Sequence, residues 1–127
     1  KILFLDEPTV ALDPQVRRRY WDLIRRLPKD GVTVVLTTHY IEEAENLCNR
    51  VAILNKGSLI KLDTPKALCE QIGIYVVEWD SEETREFKFF NSRKECADCA
   101  GTFDVATTIR HSNLEDVFVE LTGRTVS

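Results

Sequence analysis

The sequence predicts an α/β fold, namely part of a parallel sheet with its helices, followed by a small α+β module. Two continuous apolar runs, Ile2 to Leu5 and Val32 to Leu36, are typical of strands covered on both faces. Each run is followed by apolar residues at helical spacing. After Gly73 the pattern changes to alternating aromatic residues, which indicates a hairpin. We therefore expect one domain in residues 1–72 and a second, accessory domain in residues 73–127.

The first domain begins as strand, helix, strand and helix. Asp13 and Pro14 form a helix start, with an N-cap residue and proline at the first helical position. The helix has an apolar stripe, and it stops at Pro28. The stripe consists of Val16, Tyr20, Leu23, Ile24 and Leu27. A short helix is predicted within "TTHYIEEAENLC", after the second strand.

Two further strands and a helix complete this domain. The stretch "RVAILNKGSLIKLD" predicts two short strands around an "NKG" turn. Thr64 and Pro65 then cap a helix that runs to Gly73.

The accessory domain is predicted to have the order β-β-α-β-α. The stretches "IYVVEW" and "REFKFF" are strands joined by the acidic turn "DSEET". Ser92 and Glu95 have the spacing of a capping box and begin a helix. A strand within "TFDVATTIRH" and a last helix between Asn113 and Gly123 follow. Aromatic residues of the hairpin are expected in its core; the alternative is a ligand-binding or RNA-stacking platform. They are Tyr75, Trp79, Phe87 and Phe89.

Four cysteines allow two disulfides or a zinc site, since Cys96 and Cys99 are spaced as C-x-x-C. The two lie at i and i+3 on one apolar face of the predicted helix, together with Ala100. No second C-x-x-C accompanies them. A buried thiol pair is therefore the favoured interpretation, and metal or redox chemistry stays open as the alternative.

Composition limits the classes of partner. The net charge of −4 and a pI of about 5.2 argue against a non-specific nucleic-acid surface. A basic helix face is expected to be solvated, and contact with a partner subunit or acidic lipid is the alternative. It consists of Arg17, Arg18, Arg19, Arg25 and Arg26. No stretch approaches the roughly 20 apolar residues of a membrane span. Because the chain contains no methionine, we expect it to be the C-terminal piece of a longer protein.

Two adjacent acids, Asp6 and Glu7, end the first apolar run, and His39 follows the second. Ligands of open α/β sheets bind outside the carboxyl ends of the strands. Phosphoryl transfer to water requires an oxygen ligand for Mg²⁺, a group that orients water and a group that senses the terminal phosphate. The alternatives are that the acids only cap a turn before Pro8 and that His39 is satisfied locally.

The stretches "ILFLDEPTVALDP" and "TTHYIEEAENLCNRVAILNKGSLI" closely resemble the ATP-binding subunits of ATP-binding-cassette (ABC) transporters. The resemblance implies a P-loop NTPase sheet, with ATP and Mg²⁺ as cofactors. It implies that Asp6 of the Walker B strand holds Mg²⁺ mainly through water, that Glu7 is the catalytic carboxylate and that His39 is the switch histidine. Leu12 and Asp13 of the D-loop would contact a second ATPase subunit.

The region ending "SNLEDVFVELTG" is similar to the C-terminal extension of exporters of drugs, lipids or polysaccharides, and the multidrug-export type is the expected subgroup. The resemblance implies a transmembrane permease as partner, no nucleic-acid partner, and a cytoplasmic location on the inner face of the plasma membrane. The five glycines never form G-x-x-x-x-G-K-[ST], and the LSGGQ-type segment is absent. We therefore expect the chain alone to be inactive. The rival hypotheses are a soluble cassette ATPase acting on ribosomes or DNA, and a non-catalytic regulatory or dimerisation module.

Overall fold

A computed structural model describes residues 1–123 and has the mixed α/β architecture that the sequence predicts. The chain forms two compact units, one comprising Lys1–Asn49 and the other beginning at Arg50. The predicted domain boundary at residue 73 stays a prediction.

The first unit contains two strands and two α-helices in alternation, with a short 3-10 helix at Pro28–Asp30 after the first α-helix. They are β1 (Ile2–Asp6), α1 (Pro14–Arg26), β2 (Thr33–Thr37) and α2 (Ile41–Leu47). The strands pair in parallel, with Ile2 opposite Thr33 and Asp6 opposite Thr37. Asp13 caps α1 as predicted, since its side chain accepts a 2.9 Å hydrogen bond from the Val16 amide. The carboxyl ends of both strands therefore lie side by side.

The apolar strands of this unit are less covered than expected. Ile2 and Phe4 are 62% and 72% exposed, so the prediction of a strand buried on both faces is wrong for this chain. Tyr20 and Leu23 of the predicted stripe are exposed as well, whereas Trp21 and Ile24 are buried. The physical reason is that α1 packs chiefly against α2 and the turn that follows it, which leaves much of the two-stranded sheet open.

The second unit contains a hairpin, a linking helix and a three-stranded sheet. Its elements are β3 (Val51–Asn55), β4 (Ser58–Asp63), α3 (Pro65–Ile72), β5 (Tyr75–Ser81), β6 (Thr84–Phe90), α4 (Arg93–Ala100), β7 (Thr107–His111) and α5 (Leu114–Thr122). Strand β5 lies between β6 and β7, and all of these pairings are antiparallel. The predicted β-β-α-β-α order of the last five elements is confirmed.

Aliphatic residues contribute more to the core of this unit than the aromatic residues do. Val76 and Val77 are fully buried on β5, and Leu68 and Val117 are 1% exposed on α3 and α5, which pack together. Trp79 stacks on Phe103 at 4.4 Å between ring centroids. The hairpin aromatics are only partly buried, so the prediction that they lie in the core is confirmed only in part.

The predicted cysteine helix is α4, and Ser92 caps it by accepting a 3.2 Å hydrogen bond from the Glu95 amide. Cys96 is fully buried and Cys99 is partly buried, and neither forms a disulfide. Burial is the main cause that raises the pKa of the Cys96 thiol, with Cys99 and Glu95 adding to it.

Candidate active site

Asp6 is the last residue of β1, and it faces the last residue of β2. Because the two strands are parallel and in register, Asp6 and Thr37 are direct neighbours. The Thr37 hydroxyl donates a hydrogen bond to the Asp6 carboxylate. Both residues are exposed at the sheet edge. The carboxylate is thus oriented by a neighbouring side chain and open to a ligand from solvent.

Glu7 and His39, the two predicted catalytic residues, are in direct contact. The Glu7 carboxylate meets Nδ1 of His39, and their side chains are 37% and 79% exposed. The Glu7 amide donates a 2.7 Å hydrogen bond to the Thr37 carbonyl, which carries the strand pairing one residue past β1. The carboxylate, the imidazole and Asp6 therefore share one rim of the sheet.

The backbone of Glu7 is in an unusual conformation. Its φ is +45°, in the left-handed region that residues with a side chain adopt at a cost of roughly 1–2 kcal/mol. Ala11 in the same loop has a φ of +67°. Strain of this kind persists only where surrounding contacts fix the backbone. The conformation of the loop after β1 is therefore maintained by contacts with other segments.

The D-loop residues Leu12 and Asp13 lie at the entry to α1. Asp13 is exposed, and its cap on α1 gives it a role inside the chain. The Leu12 carbonyl accepts a 2.9 Å hydrogen bond from the guanidinium of Arg17, which also stacks over the Tyr40 ring at 4.1 Å. Arg17 thus departs from the predicted solvated face, while Arg18 and Arg19 are exposed as expected.

The sequence interpretation assigned no functional role to three further residues, Thr9, Trp21 and Glu43. Glu43 on α2 is 1% exposed and accepts hydrogen bonds from the Thr9 hydroxyl and the Trp21 indole. In the sequence Glu43 belongs to the acidic run "EEAE", which is typical of a solvated face. No local pattern distinguishes Glu43 from Glu42 because its partners lie 34 and 22 positions away in the chain.

The residues at the rim fit hydrated Mg²⁺. This ion prefers oxygen ligands, retains several waters and is usually held by one or two carboxylates together with phosphate oxygens. Asp6 offers such a carboxylate, and the neighbouring Thr37 hydroxyl orients it. Within residues 1–123, no group of three or more His, Cys, Asp or Glu side chains forms a complete metal cage. These residues would hold an ion that keeps most of its water ligands, rather than one coordinated by protein side chains alone.

A second concave site lies in the other unit. A cavity of about 320 Å³ is lined by Phe87 and Phe89 of β6 and by polar residues of β5, β7 and α5. Arg110 donates two hydrogen bonds of 2.7 and 2.9 Å to Asp116 and also contacts Glu78. Burial would raise the pKa of Glu78, but hydrogen bonds from Arg110 and Arg85 hold it below its ordinary value. The charges at this cavity are therefore largely satisfied within the unit.

Comparison with known proteins identifies the relatives of the chain. It is 38% identical to Nod factor export ATP-binding protein I of Bradyrhizobium diazoefficiens over 97% of its length, and the same values hold for the Burkholderia thailandensis protein of that name. The Mesorhizobium japonicum protein is 36% identical over 98% of the chain. The chain is thus a homologue, along nearly its whole length, of ATP-binding proteins named for export.

The chain spans about half the length of these relatives, covering 47% of the Bradyrhizobium protein and 43% of the Mesorhizobium protein. No family model matches it. The names of these relatives indicate ATP binding and export as their properties, in agreement with the predicted family. In the described part of the chain, no helix is long and apolar enough to cross a membrane.

Proposed function

We propose that this chain is part of the ATP-binding subunit of an ABC exporter, in which hydrolysis of ATP is coupled to transport. The observation that carries the proposal is the contact between Glu7 and His39 beside Asp6, at the shared end of two parallel strands. An acid, a metal-binding carboxylate and an imidazole at one rim are the groups that phosphoryl transfer to water requires.

Each residue has a separate task in this proposal. Asp6 holds hydrated Mg²⁺, and when bound the ion neutralises charge on the phosphates of ATP. Glu7 accepts a hydrogen bond from the attacking water and aligns it with the terminal phosphorus. His39 donates a hydrogen bond to an oxygen of the terminal phosphate. The Glu7–His39 contact keeps the water-orienting and phosphate-sensing groups within reach of one another.

The remaining parts of the site would come from other segments. In the complete subunit ATP lies between this site and a second ATPase subunit, with Leu12 and Asp13 at the contact. The subunit works with a transmembrane permease and is a peripheral protein at the cytoplasmic face of the plasma membrane. Drugs, lipids and polysaccharides are the candidate substrates. The relatives named for Nod factor export support export as the direction of transport, and their names do not single out the multidrug subgroup.

Replacing Glu7 with Gln in the full-length subunit tests the catalytic assignment. The amide keeps the shape of the side chain but is a poor acceptor for the water proton, so we expect turnover to fall by at least about 100-fold. Affinity for Mg-ATP should stay within about threefold, because binding is mainly through phosphates. Glu42→Gln, on the exposed side of α2, is the matched control and should keep full activity. Retained turnover in Glu7→Gln would contradict the assignment.

The rival hypotheses differ in their partners. A soluble cassette ATPase would have the same rim but would copurify with ribosomes or DNA, whereas a transport subunit copurifies with a membrane permease. The acidic net charge and the names of the relatives favour transport. A non-catalytic dimerisation module is distinguished by light scattering together with the turnover measurement on the full-length subunit.

A further inference from the structure

Glu43 is a buried carboxylate that the proposed chemistry does not use. Its side chain is among the most deeply buried in the chain, at 1% exposure. Among residues 1–123 it forms no ion pair, and its polar contacts are hydrogen bonds from neutral donors. A carboxylate is costly to bury without a cation, and such groups persist where they fix one arrangement of their neighbours.

The neighbours that Glu43 joins belong to different segments. One carboxylate oxygen accepts from the Thr9 hydroxyl, in the loop between β1 and α1. The same oxygen accepts from the Trp21 indole in α1 at 3.0 Å. Glu43 itself lies in the first turn of α2, immediately after the loop that carries His39. One side chain therefore connects the loop of the acids, the helix after it and the loop of the histidine.

This connection explains how the strained backbone at Glu7 is maintained. Before the loop, the Glu7 amide is fixed to the Thr37 carbonyl. Two residues after Glu7, fully buried Thr9 is fixed to Glu43. The left-handed residue Glu7 is therefore anchored on both sides, as a strained backbone requires. If the second anchor is lost, Glu7 can relax to a negative φ, and its carboxylate then moves away from His39.

Arg17 provides a second link between the same two loops. Its guanidinium donates to the Leu12 carbonyl and lies over the ring of Tyr40, the residue after His39. Its Nε is buried and has no hydrogen-bond partner in the described chain. Arg17 thus links the D-loop to the histidine loop.

We propose that Glu43 is a positioning residue which, through Thr9, holds Glu7 in its strained conformation against His39. The functional part of this inference rests on the proposed ATPase role of Glu7, whereas the structural part does not. Thr9→Val removes the hydroxyl at nearly constant volume, and Thr9→Ser retains it. Thr33→Val, at an exposed position of β2, is the matched control.

The structural part is tested on this chain by NMR. In Thr9→Val we expect the signals of the Glu7 amide, the His39 ring and the Trp21 indole to shift, while the Trp79 indole in the other unit stays unchanged. Thr9→Ser and Thr33→Val should leave the Glu7 and His39 signals near their original positions. If Thr9→Val does not fold, Trp21→Phe perturbs the same carboxylate through its other contact. Unchanged Glu7 and His39 signals in the folded variant would overturn the inference.

The functional part is tested by kinetics in the full-length subunit. Thr9→Val should lower kcat by about tenfold or more, since misplacement of a water-orienting group is costly. KM for ATP should stay within about twofold, and Thr9→Ser should restore kcat. Equal kcat values for Thr9→Val and wild type would overturn the positioning role. Glu7→Gln, measured in parallel, separates the outcomes, because retained turnover in that variant rejects the ATPase role of Glu7 itself.

Discussion

The indole nitrogen of Trp21 donates a 3.0 Å hydrogen bond to the Glu43 carboxylate, and both side chains are at most 5% exposed. This contact joins α1 to α2 in the interior of the first unit. Trp21→Phe keeps an aromatic ring but removes the donor from a buried acceptor. We expect the free energy of unfolding of this unit to fall by about 1–3 kcal/mol. Urea unfolding followed by circular dichroism measures the change.

Tyr20→Phe is the control for this prediction. Tyr20 is the preceding residue on α1 and is 46% exposed, so loss of its hydroxyl should change stability by less than about 0.5 kcal/mol. Equal effects of the two substitutions would show that the indole contact contributes nothing specific.

Gly73 is the glycine of the second unit whose replacement should be most damaging. Its φ is +124°, and a Cβ there would lie 2.9 Å from Cβ of Phe89 and 3.0 Å from the Phe90 amide nitrogen. Gly73→Ala should therefore destabilise the unit by roughly 2–4 kcal/mol, from backbone strain and overlap together. Gly57, with a φ of +78° and nothing within 4 Å, is the matched position, and Gly57→Ala should cost only about 1 kcal/mol. Thermal unfolding of both variants checks the difference.

Glu78 should make the second unit sensitive to acid. Burial opposes its ionisation, but hydrogen bonds from Arg110 and Arg85 hold its pKa below 4.5. Because the pKa is lower in the folded state, its stabilising effect is present above about pH 4.5 and is lost as the pH falls through the folded value. Glu78→Gln should therefore flatten the decline of stability below this pH. Glu82→Gln, in the exposed hairpin turn, should leave the decline unchanged when unfolding is measured from pH 6 to pH 3.

The thiols of α4 should differ in reactivity. Cys96 is fully buried, and burial raises the pKa of its thiol, whereas Cys99 is partly exposed. Since the thiolate is the nucleophile, we expect iodoacetamide at pH 8 to label Cys99 about tenfold faster or more in the native chain. Peptide mass spectrometry measures the two rates. Equal labelling rates in the native chain would contradict the buried-thiol interpretation. Rates that become equal only in urea would support it.

The chain by itself should neither bind nor hydrolyse ATP detectably. Its glycines supply no G-x-x-x-x-G-K-[ST] loop, and the backbone amides of that loop provide much of the affinity for phosphate. We expect no phosphate release with Mg-ATP and no shift in melting temperature. Tight nucleotide binding by the chain would contradict this expectation.

Local sequence signals predicted the elements well, because each is specified by nearby residues. Asp13, Ser92 and Asn113 cap the helices that they were expected to cap. The rim was predicted for a similar reason, since parallel strands that end in polar residues bring those residues to one edge. The contact between Glu7 and His39 then follows from the register of β1 and β2.

The parts that the sequence did not predict depend on distant partners. Helix periodicity placed Tyr20, Leu23 and Ile24 on one apolar stripe. Of these three, only Ile24 is buried by the packing of α1 on α2, together with Trp21. The hydrogen bonds of Glu43 and the stacking of Arg17 on Tyr40 likewise join residues far apart in the chain. The neighbouring sequence does not show which charged residues will be buried. Their burial and contacts are seen only in the folded unit.

The pairing of β1 with β2 has a consequence for the order of events during folding. Asp6 and Thr37 are separated by 31 positions, and the intervening loop must close before the strands can exchange hydrogen bonds. The chemistry at this edge therefore requires that loop closure, and partly folded forms in which β1 and β2 are not yet paired lack it.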